Sequence, residues 1–532
     1  MKFVSTRRHD GSGEREVYTF EEALLSGYAP DGDVLPPARI RDLGASTVLG
    51  SVMLVLVLTI IKPKRIFISA DEVGDDDLRD IVANSYPVEE FDDNSFVPVK
   101  RLGSSGAGGA YIAELFHGPT YCFKDLGMMP VINFLSFFAS RANRPTTLLV
   151  STTGDTGPAA VHAVNRASNP LLTILVHYPD GQISDFQRRQ LTTIESRFVK
   201  VGKSPCSFLR QLLTGHFTSA SFEGGGDDMD LPIKETLLEN DEAKSGRKFT
   251  GINSYNIGRP LAQMVHFVWI YFRVAEQLGI RPGDASRPID MVIPTGAMGN
   301  ITALYLTKRL GLPVGFMCAG TNINDITHRV IERGEFHKKS IKRTLSEAIN
   351  IEVPYNFERV AYYLTNENPH IVRRWMQSME LTQELTLDAN WLERLQAEFK
   401  SARVDDNEMM QAMRDVISAH GYLLDPHTAV AVSAAEKLGY SIIDGSNADD
   451  TKNPIVIIAT ASPCKFEGAV TATIGIDGWD KWATESFPPR ARATINAPES
   501  QPLHYPRSAG LSTSERNSKW REKMLNIIEQ NF

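Results

Sequence analysis

Residues 147–164 read Thr147-Leu-Leu-Val-Ser-Thr-Thr-Gly-Asp-Thr-Gly-Pro-Ala-Ala-Val-His-Ala-Val164, and this stretch indicates the class of fold. It begins with an apolar run typical of a buried strand and ends with a segment typical of a helix. The turn between them, 151–157, is rich in hydroxyl groups and glycine. Such a strand-to-helix turn can bind an anion, for example a substrate carboxylate, through backbone N–H groups and hydroxyls. A tight turn that only needs glycine and a helix cap is the alternative.

The same pattern recurs along the chain. Apolar runs at 172–177, 291–294 and 455–459 are also typical of buried strands, and helix-like segments separate them. Strands that alternate with helices predict an α/β fold with mostly parallel sheets. Ligands of such folds bind at the carboxyl ends of the strands, so the turns that follow these strands are candidate sites.

The composition is that of a globular protein. The chain has 532 residues, of which 42% are hydrophobic and 23% are charged, so it can bury a large core. With a net charge of −8 it lacks the basic surface typical of nucleic-acid-binding proteins. Its four cysteines lie far apart and form no C-x-x-C pair, which argues against a metal site or a disulfide scaffold. We therefore expect a metal-free cytoplasmic protein that binds no nucleic acid.

One segment raises the question of a membrane helix. Residues 45–61 carry no charge and end in the apolar run 52–61, and about 20 apolar residues can span a bilayer as a helix. Glycine and serine dilute the first half of the segment. We therefore expect it to be buried in an N-terminal domain, without a membrane contact.

Lys124 is the first candidate for chemistry. It lies in an apolar neighbourhood, directly after Phe123 and close to Met128. Burial disfavours the charged ammonium and leaves a nucleophilic amine, which can form a Schiff base with a carbonyl cofactor. A surface lysine paired with Asp125 is the alternative.

Two more turns are candidates for phosphate binding. Residues Pro294-Thr-Gly-Ala-Met-Gly-Asn300 follow a predicted strand and precede a helix-like segment, where backbone N–H groups and the helix dipole favour an anion. The loop has neither the Walker pattern nor the dinucleotide fingerprint, which leaves the phosphate of a smaller cofactor. Residues Asn253-Ser-Tyr-Asn-Ile-Gly-Arg259 combine amides, a hydroxyl and a guanidinium suited to a second phosphate. A polar cap for the helix from Pro260 is the alternative.

Two further motifs lie near the predicted strand at 455–459. The strand end Ala459-Thr-Ala-Ser-Pro-Cys-Lys-Phe466 offers hydroxyl groups. The motif Asp425-Pro-His-Thr428 is typical of a helix cap, in which His427 has a structural role.

In their order along the chain these motifs resemble the threonine synthase family, whose members use pyridoxal 5′-phosphate (PLP) and have fold type II, the tryptophan-synthase-β-like fold. The resemblance also includes Ser26-Gly-Tyr-Ala-Pro-Asp-Gly32, H-Y-P-D-G at 177–181, T-N-I-N-D at 321–325 and N-F-E-R at 356–359. It implies two parallel-sheet α/β domains and an additional N-terminal domain. The expected units are the N-terminal domain 1–95, the PLP-lysine and substrate-carboxylate domain 96–265, the PLP-phosphate-loop domain 266–478 and a C-terminal extension 479–532.

The resemblance also implies a role for each candidate residue. Lys124 would be catalytic and would hold PLP covalently, with Thr460 facing the pyridine nitrogen. The residues that cradle the cofactor phosphate would be Gly296, Ala297, Met298, Gly299 and Asn300. The residues that hold the substrate carboxylate and the region of the PLP 3′-oxygen would be Thr153, Asp155 and Thr156. The residues that bind the substrate phosphate would be Asn253, Ser254 and Arg259.

The phosphate loop favours one branch of the family. Its sequence P-T-G-A-M-G-N at 294–300 resembles the threonine synthase-like phospho-lyases. This resemblance implies PLP-dependent elimination of phosphate from O-phosphohomoserine or O-phosphothreonine, giving 2-oxobutanoate, ammonia and phosphate. The alternatives are a threonine synthase, or a diverged paralogue that adds another nucleophile to the same intermediate. We expect a monomer or a homodimer whose partner is a small-molecule O-phospho amino acid.

Overall fold

The computed structural model describes residues 2–7, 16–29, 32–38, 66–102, 109–194, 217–223, 228–443, 452–506 and 510–532. The apolar segment 45–61, predicted to be buried, lies outside these ranges, as do two residues of the motif at 26–32. Within the described ranges, no helix is long and apolar enough to cross a membrane.

Fifteen strands are described, and most of them form two sheets. A six-stranded sheet has the order β13-β10-β9-β14-β4-β3, and a five-stranded sheet has the order β15-β7-β6-β5-β8. All neighbours in these sheets are parallel except the pair β3 and β4. The strands are β1 (Phe3–Val4), β2 (Val17–Tyr18), β3 (Val99–Leu102), β4 (Ala110–Glu114), β5 (Thr146–Ser151), β6 (Leu172–Pro179), β7 (Phe217–Phe222), β8 (Lys248–Gly251), β9 (Ile289–Pro294), β10 (Val314–Thr321), β11 (Glu335–His337), β12 (Glu384–Thr386), β13 (Phe399–Arg403), β14 (Ile455–Ala459) and β15 (Leu503–Tyr505).

Helices connect the parallel strands. In the central strands β5, β6, β9 and β14 every residue is buried, which is typical of parallel sheets covered on both faces and explains why each strand contains an apolar run. The α-helices are Phe20–Ser26, Asp75–Ser85, Lys124–Ala142, Thr156–Ala167, Asp185–Thr192, Asp230–Leu238, Glu242–Ser245, Gly258–Gln277, Gly299–Arg309, Ile326–Arg333, Phe357–Leu364, Pro369–Thr382, Ala389–Gln396, Asp406–His420, Pro426–Lys437, Glu467–Ser486, Pro489–Asn496 and Thr513–Asn531. Short 3-10 helices cover Val88–Glu90, Glu347–Ile349 and Pro463–Lys465.

The predicted strand–turn–helix units are present, and the α/β fold with mostly parallel sheets is confirmed. The helix after the motif Asp425-Pro-His-Thr428 begins within that motif, at Pro426. The reason is the cap: the Asp425 carboxylate accepts hydrogen bonds from the backbone N–H groups of His427 and Thr428, as the motif predicted.

The two large sheets do not follow the linear order of the expected units. Strands β3 and β4 lie in the segment 96–265 but pair into the six-stranded sheet, whose other strands come from 289–459. Strand β15, from the expected extension 479–532, joins the five-stranded sheet beside β7. The four-part division stays a prediction, but strand pairing ties its parts together.

The N-terminal residues are attached to the helix Phe357–Leu364. Arg7 makes ion pairs with Asp33 and Glu358 at 3.0 and 2.9 Å. The Tyr363 hydroxyl donates to the carbonyl of Pro37 at 2.7 Å. These contacts place the start of the chain against the element that carries Arg359, which supports the candidate site described next.

Candidate active site

A cleft lies along the carboxyl ends of strands from both large sheets. It encloses about 910 Å³ of space, part of it open to solvent, and is lined by the turns after β5, β8, β9 and β14. The structure brings together in this cleft all the residues predicted for the site: Lys124, Thr153, Asp155, Thr156, Asn253, Ser254, Arg259, Gly296, Ala297, Met298, Gly299, Asn300 and Thr460. Their individual roles stay predictions.

Lys124 is the first residue of the helix Lys124–Ala142 and its side chain is 14% exposed. Its ammonium lies 3.3 Å from Oδ2 of Asp155, which belongs to the turn after β5. Asp125 instead accepts hydrogen bonds from the backbone N–H and the hydroxyl of Thr120, at 2.8 and 2.6 Å. The alternative of a surface lysine paired with Asp125 is therefore wrong.

Asp155 has a second cationic partner that the sequence analysis missed. Lys465 is fully buried, and its ammonium lies 2.8 Å from Oδ1 of Asp155 and donates to the carbonyl of Thr120 at 2.9 Å. Burial alone would raise the pKa of the Asp155 carboxyl, but the ammonium groups of Lys465 and Lys124 hold that pKa well below its usual range. Burial disfavours the ammonium of Lys465, yet Asp155 raises the pKa of Lys465 above its usual value. One carboxylate is thus shared by two lysines.

The loop 295–300 forms an anion cradle at the start of the helix Gly299–Arg309. That helix has no side-chain cap, so its first N–H groups remain free to bind a ligand. A Cβ atom on Gly299 would lie 2.9 Å from Cβ of Ser254, and one on Gly296 would lie 3.0 Å from Cγ1 of Ile351. Only glycine fits at these two positions without a shift of neighbouring atoms. Because glycine has no side chain, a phosphate can come close to the backbone here.

Asn300 adds a donor to this cradle. Its Oδ1 accepts a hydrogen bond of 2.9 Å from Nε2 of His266, whose pKa burial lowers to about 3, so the ring is neutral. Its Nδ2 is buried and has no hydrogen-bond partner among the described residues. An unpartnered buried amide is costly, and a bound phosphate oxygen would satisfy it. The cradle therefore fits the phosphate of the cofactor that the resemblance implies.

Two buried residues of the motif at 356–359 hold the cradle against the loop 253–259. The amide of Asn356 donates to the hydroxyl of Ser254 at 2.9 Å and to the carbonyl of Ala297 at 3.0 Å. Arg359 donates to Oδ1 of Asn356 at 2.5 Å and to the carbonyl of Ser254 at 3.2 Å. Nothing in the local sequence of this motif indicates that it takes part in the site.

Arg259 is the cation best placed for a second anion. It is 1% exposed, lines the cleft, and donates through Nη1 to the carbonyl of Ile252 at 3.0 Å. Its Nε has no partner within the described part of the chain. Burial lowers the pKa of the guanidinium to about 10, so it stays charged at neutral pH. A buried charged group with a free N–H suits an anionic ligand.

The side chain of Asn253 makes hydrogen bonds to the protein backbone. Its amide accepts from the backbone N–H of Ser151 at 3.2 Å and donates to the Ser151 carbonyl at 2.6 Å. The oxygen and the nitrogen of the side-chain amide thus both hold the turn 151–157 in place. In that turn the hydroxyl of Thr152 accepts from the N–H groups of Gly154 and Gly157, at 3.1 and 3.0 Å. Asn253 therefore positions the turn that carries Thr153 and Thr156.

His427 also lines the cleft, and its contacts agree with the predicted structural role. Its Nε2 accepts from the backbone N–H of Ala348 at 3.1 Å, and its Nδ1 lies 2.9 Å from Oδ1 of Asp425. Because a backbone N–H only donates, the ring proton resides on Nδ1 and is donated to Asp425. Thr460, beside it, accepts through its carbonyl from the N–H of Phe123 at 2.8 Å, which fixes the start of the lysine helix.

Comparison with known proteins gives consistent matches. The family model described as "Threonine synthase N terminus" matches residues 2–86, and that described as "Threonine synthase, C-terminal" matches residues 428–503. "Threonine synthase-like 2" of Homo sapiens is 32% identical over 473 residues, 89% of this chain and 89% of that protein. "Threonine synthase" of Saccharomyces cerevisiae is 29% identical over 489 residues, 87% of this chain and 88% of that protein.

Solved structures with the same architecture cover nearly the whole chain. The crystal structure of threonine synthase from yeast is similar with a TM-score of 0.79 at 25% identity, over 99% of both chains. The structure of PLP-bound threonine synthase from Brucella melitensis is similar with a TM-score of 0.76 at 27% identity, over 97% of this chain and 99% of that one. The expected fold type II is thereby confirmed.

Proposed function

The chain belongs to the threonine synthase family, and we propose that it removes phosphate from O-phosphohomoserine or O-phosphothreonine, giving 2-oxobutanoate, ammonia and phosphate. The chain is a PLP-dependent lyase. The observation that carries the proposal is one cleft that contains a lysine amine, an uncapped helix start and a buried arginine whose Nε has no partner in the described part of the chain. An O-phospho amino acid needs these three features, together with a site for its carboxylate.

PLP is the cofactor, and the cradle 296–300 would hold its phosphate through backbone N–H groups and Nδ2 of Asn300. When bound, PLP supplies an electron sink that stabilises the negative charge left at Cα of the substrate. The hydroxyl of Thr460 would face the pyridine nitrogen. A neutral hydroxyl there leaves this nitrogen unprotonated and moderates the electron sink.

Lys124 would attach the cofactor and then act as a base. Its amine, once released by the amine of the substrate, would take the proton from Cα. Asp155 lies 3.3 Å from this amine and is already paired with Lys465 at 2.8 Å. Asp155 is thus held in place by Lys465 and can orient the amine of Lys124.

Arg259 would bind the substrate phosphate and stabilise it as it leaves. The charge on the phosphate oxygens grows as the carbon–oxygen bond breaks, and a preorganised guanidinium in a buried site is well suited to this change. Ser254, whose hydroxyl is held by Asn356, would add a neutral contact. Thr153 and Thr156, on the turn fixed by Asn253, would hold the substrate carboxylate at the start of a helix.

Threonine synthase activity is the second candidate, and the named relatives support it equally. Both reactions consume one water for each O-phosphohomoserine. In threonine formation the water adds to Cβ, whereas in elimination it hydrolyses the imine and releases ammonia. The loop 294–300, which resembles the phospho-lyases, favours elimination. A paralogue that adds another nucleophile at Cβ is the third candidate.

Product analysis tests the proposal. Purified holoenzyme is incubated with O-phosphohomoserine, and phosphate, 2-oxobutanoate and threonine are quantified in the same sample. We expect phosphate and 2-oxobutanoate in a one-to-one ratio and little threonine. Threonine in a one-to-one ratio with phosphate would instead identify the synthase.

A pair of variants tests whether the cleft performs the reaction. Lys124→Ala is expected to abolish phosphate release and to prevent covalent trapping of the cofactor by borohydride, because both depend on the same amine. The matched control is Lys481→Ala, on the exposed face of the helix Glu467–Ser486. It should keep full activity and the trapped cofactor.

A further inference from the structure

A second, smaller cleft adjoins the catalytic one. It encloses about 480 Å³ of space, part of it open to solvent, and is bounded by the end of β6, the turn after it and the segment 341–350. Thr153 lines both clefts, whereas Glu347 and Arg343 line only the smaller one. The two spaces therefore meet at the turn that carries Thr153.

Glu347 contributes an unsatisfied oxygen to this side cleft. It belongs to the short helix Glu347–Ile349, and its Oε2 is buried and has no hydrogen-bond partner among the residues the structure describes. Burial raises the pKa of the carboxyl to about 7, and Asp155 acts in the same direction, whereas His427, Arg343 and a hydrogen bond from the backbone of Ser184 to the carboxyl oppose the shift. A buried acceptor without a donor destabilises the fold, so this oxygen points to a donor from outside the chain.

Arg343 is the other group with free capacity. It is exposed at the rim of the side cleft and makes no hydrogen bond or ion pair with any described residue, Glu347 included. Two other polar residues of the segment are already engaged: Oδ1 of Asn350 accepts from the Thr344 hydroxyl at 2.7 Å and from Asn322 at 2.8 Å. Among the described residues that line the side cleft, Oε2 of Glu347 and the guanidinium of Arg343, separated by four positions, are thus available to a ligand.

We propose that the side cleft binds a small zwitterionic amino acid, with its ammonium group at Glu347 and its carboxylate at Arg343. An ammonium donates to Oε2 and favours the ionised carboxyl, and the planar guanidinium matches a carboxylate. A ligand with only one of the two charges leaves the other group unmatched. The site therefore selects for both charges together and for small size.

The position of the side cleft gives the ligand a way to act on catalysis. An amino acid there lies against Thr153, at the edge of the catalytic cleft and apart from the cofactor cradle. From this position a bound amino acid can reach the substrate-binding turn, either as a second reactant or as a regulator. The two charged residues of the site, Glu347 and Arg343, lie outside the proposed catalytic machinery, so the site does not require the proposed function to be correct.

The experiment uses the holoenzyme after borohydride reduction, in which the cofactor is fixed to the protein and amino acids cannot react with it. Glycine is titrated into this protein and binding is measured by isothermal titration calorimetry. Methylamine and acetate, which each carry one of the two charges, are the ligand controls. We expect saturable glycine binding, with each control ligand at least about 10-fold weaker.

Variants locate the binding. Glu347→Gln and Arg343→Gln should each weaken glycine binding by about 10- to 100-fold, the loss typical of a charge-assisted contact. Lys342→Gln, which removes a neighbouring exposed charge outside the side cleft, should leave binding unchanged. The proposal is overturned if the reduced holoenzyme binds no glycine, if the single-charge ligands bind as well as glycine, or if both cleft variants bind normally. None of these results depends on turnover, so they are separate from a failure of the phosphate-elimination assay.

Discussion

Replacing Arg259 with lysine should impair phosphorylated substrates selectively. The guanidinium donates through Nη1 to the carbonyl of Ile252, and its Nε, which has no partner among the described residues, is available to the substrate phosphate. Lysine has one compact ammonium, and in this buried position the Ile252 carbonyl would compete for it. The loss of one charge-assisted contact corresponds to about 1.5–3 kcal/mol, or about 10- to 150-fold.

The assay compares two classes of ligand. We expect Arg259→Lys to lower kcat/KM for O-phosphohomoserine by about 10- to 150-fold, and to weaken inhibition by inorganic phosphate in parallel. Binding of L-threonine, measured by the change in cofactor absorbance, should stay nearly unchanged because its carboxylate would be held by the turn 151–157.

Arg359→Lys is the matched control. Arg359 is as buried as Arg259, but its guanidinium donates to Asn356 and to the backbone carbonyls of Ser254 and Tyr255. Its replacement should therefore lower stability and affect both ligand classes alike. If Arg259→Lys also impairs phosphate and L-threonine binding equally, Arg259 supports the fold and the substrate phosphate binds elsewhere.

Three further predictions follow from the buried groups. Lys465→Met should destabilise the apoprotein by about 3 kcal/mol in urea titration, because it removes the 2.8 Å ion pair of the buried Asp155 and leaves the carboxylate with the longer contact to Lys124 and a neutral hydrogen bond from Gln187; an unchanged midpoint would contradict the pairing. Gly299→Ala should weaken PLP binding at least about 10-fold in equilibrium dialysis, because the new Cβ would lie 2.9 Å from Cβ of Ser254; Gly468→Ala, where the added Cβ meets nothing within 4 Å, is the control. Burial lowers the pKa of His266 to about 3 and that of His177 to about 4. Below about pH 6 the unfolded chain therefore binds protons that the folded chain does not. Each histidine should then lower the free energy of unfolding by about 1.4 kcal/mol per pH unit, down to the pKa of that histidine in the folded chain. A urea midpoint that is constant from pH 7 to 5 would refute this.

Local sequence determined the repeating units of this protein and the residue types of its cleft. The stretch 147–164 specifies strand, turn and helix because the apolar run, the glycine-containing turn and the following helix are all encoded within a few residues. The same holds for the cradle 295–300 and for the cap at Asp425. Because strands in parallel sheets point the same way, the turns after them meet at one edge, and the predicted site residues lie in one cleft for that reason.

Pairings between distant segments were decided only by the tertiary structure. The sequence places Lys465 310 positions after Asp155, and nothing near either residue indicates that they form an ion pair. In the same way the fold assigns Asn253 to the Ser151 backbone, connects Asn356 to the phosphate loop and leaves Oε2 of Glu347 without a hydrogen-bond partner among the described residues. Strand β15 joins the five-stranded sheet although it comes from the last thirty residues of the chain. Local sequence sets backbone conformation and the direction of each element, whereas the distance between two side chains far apart in sequence depends on how the whole set of sheets and helices packs.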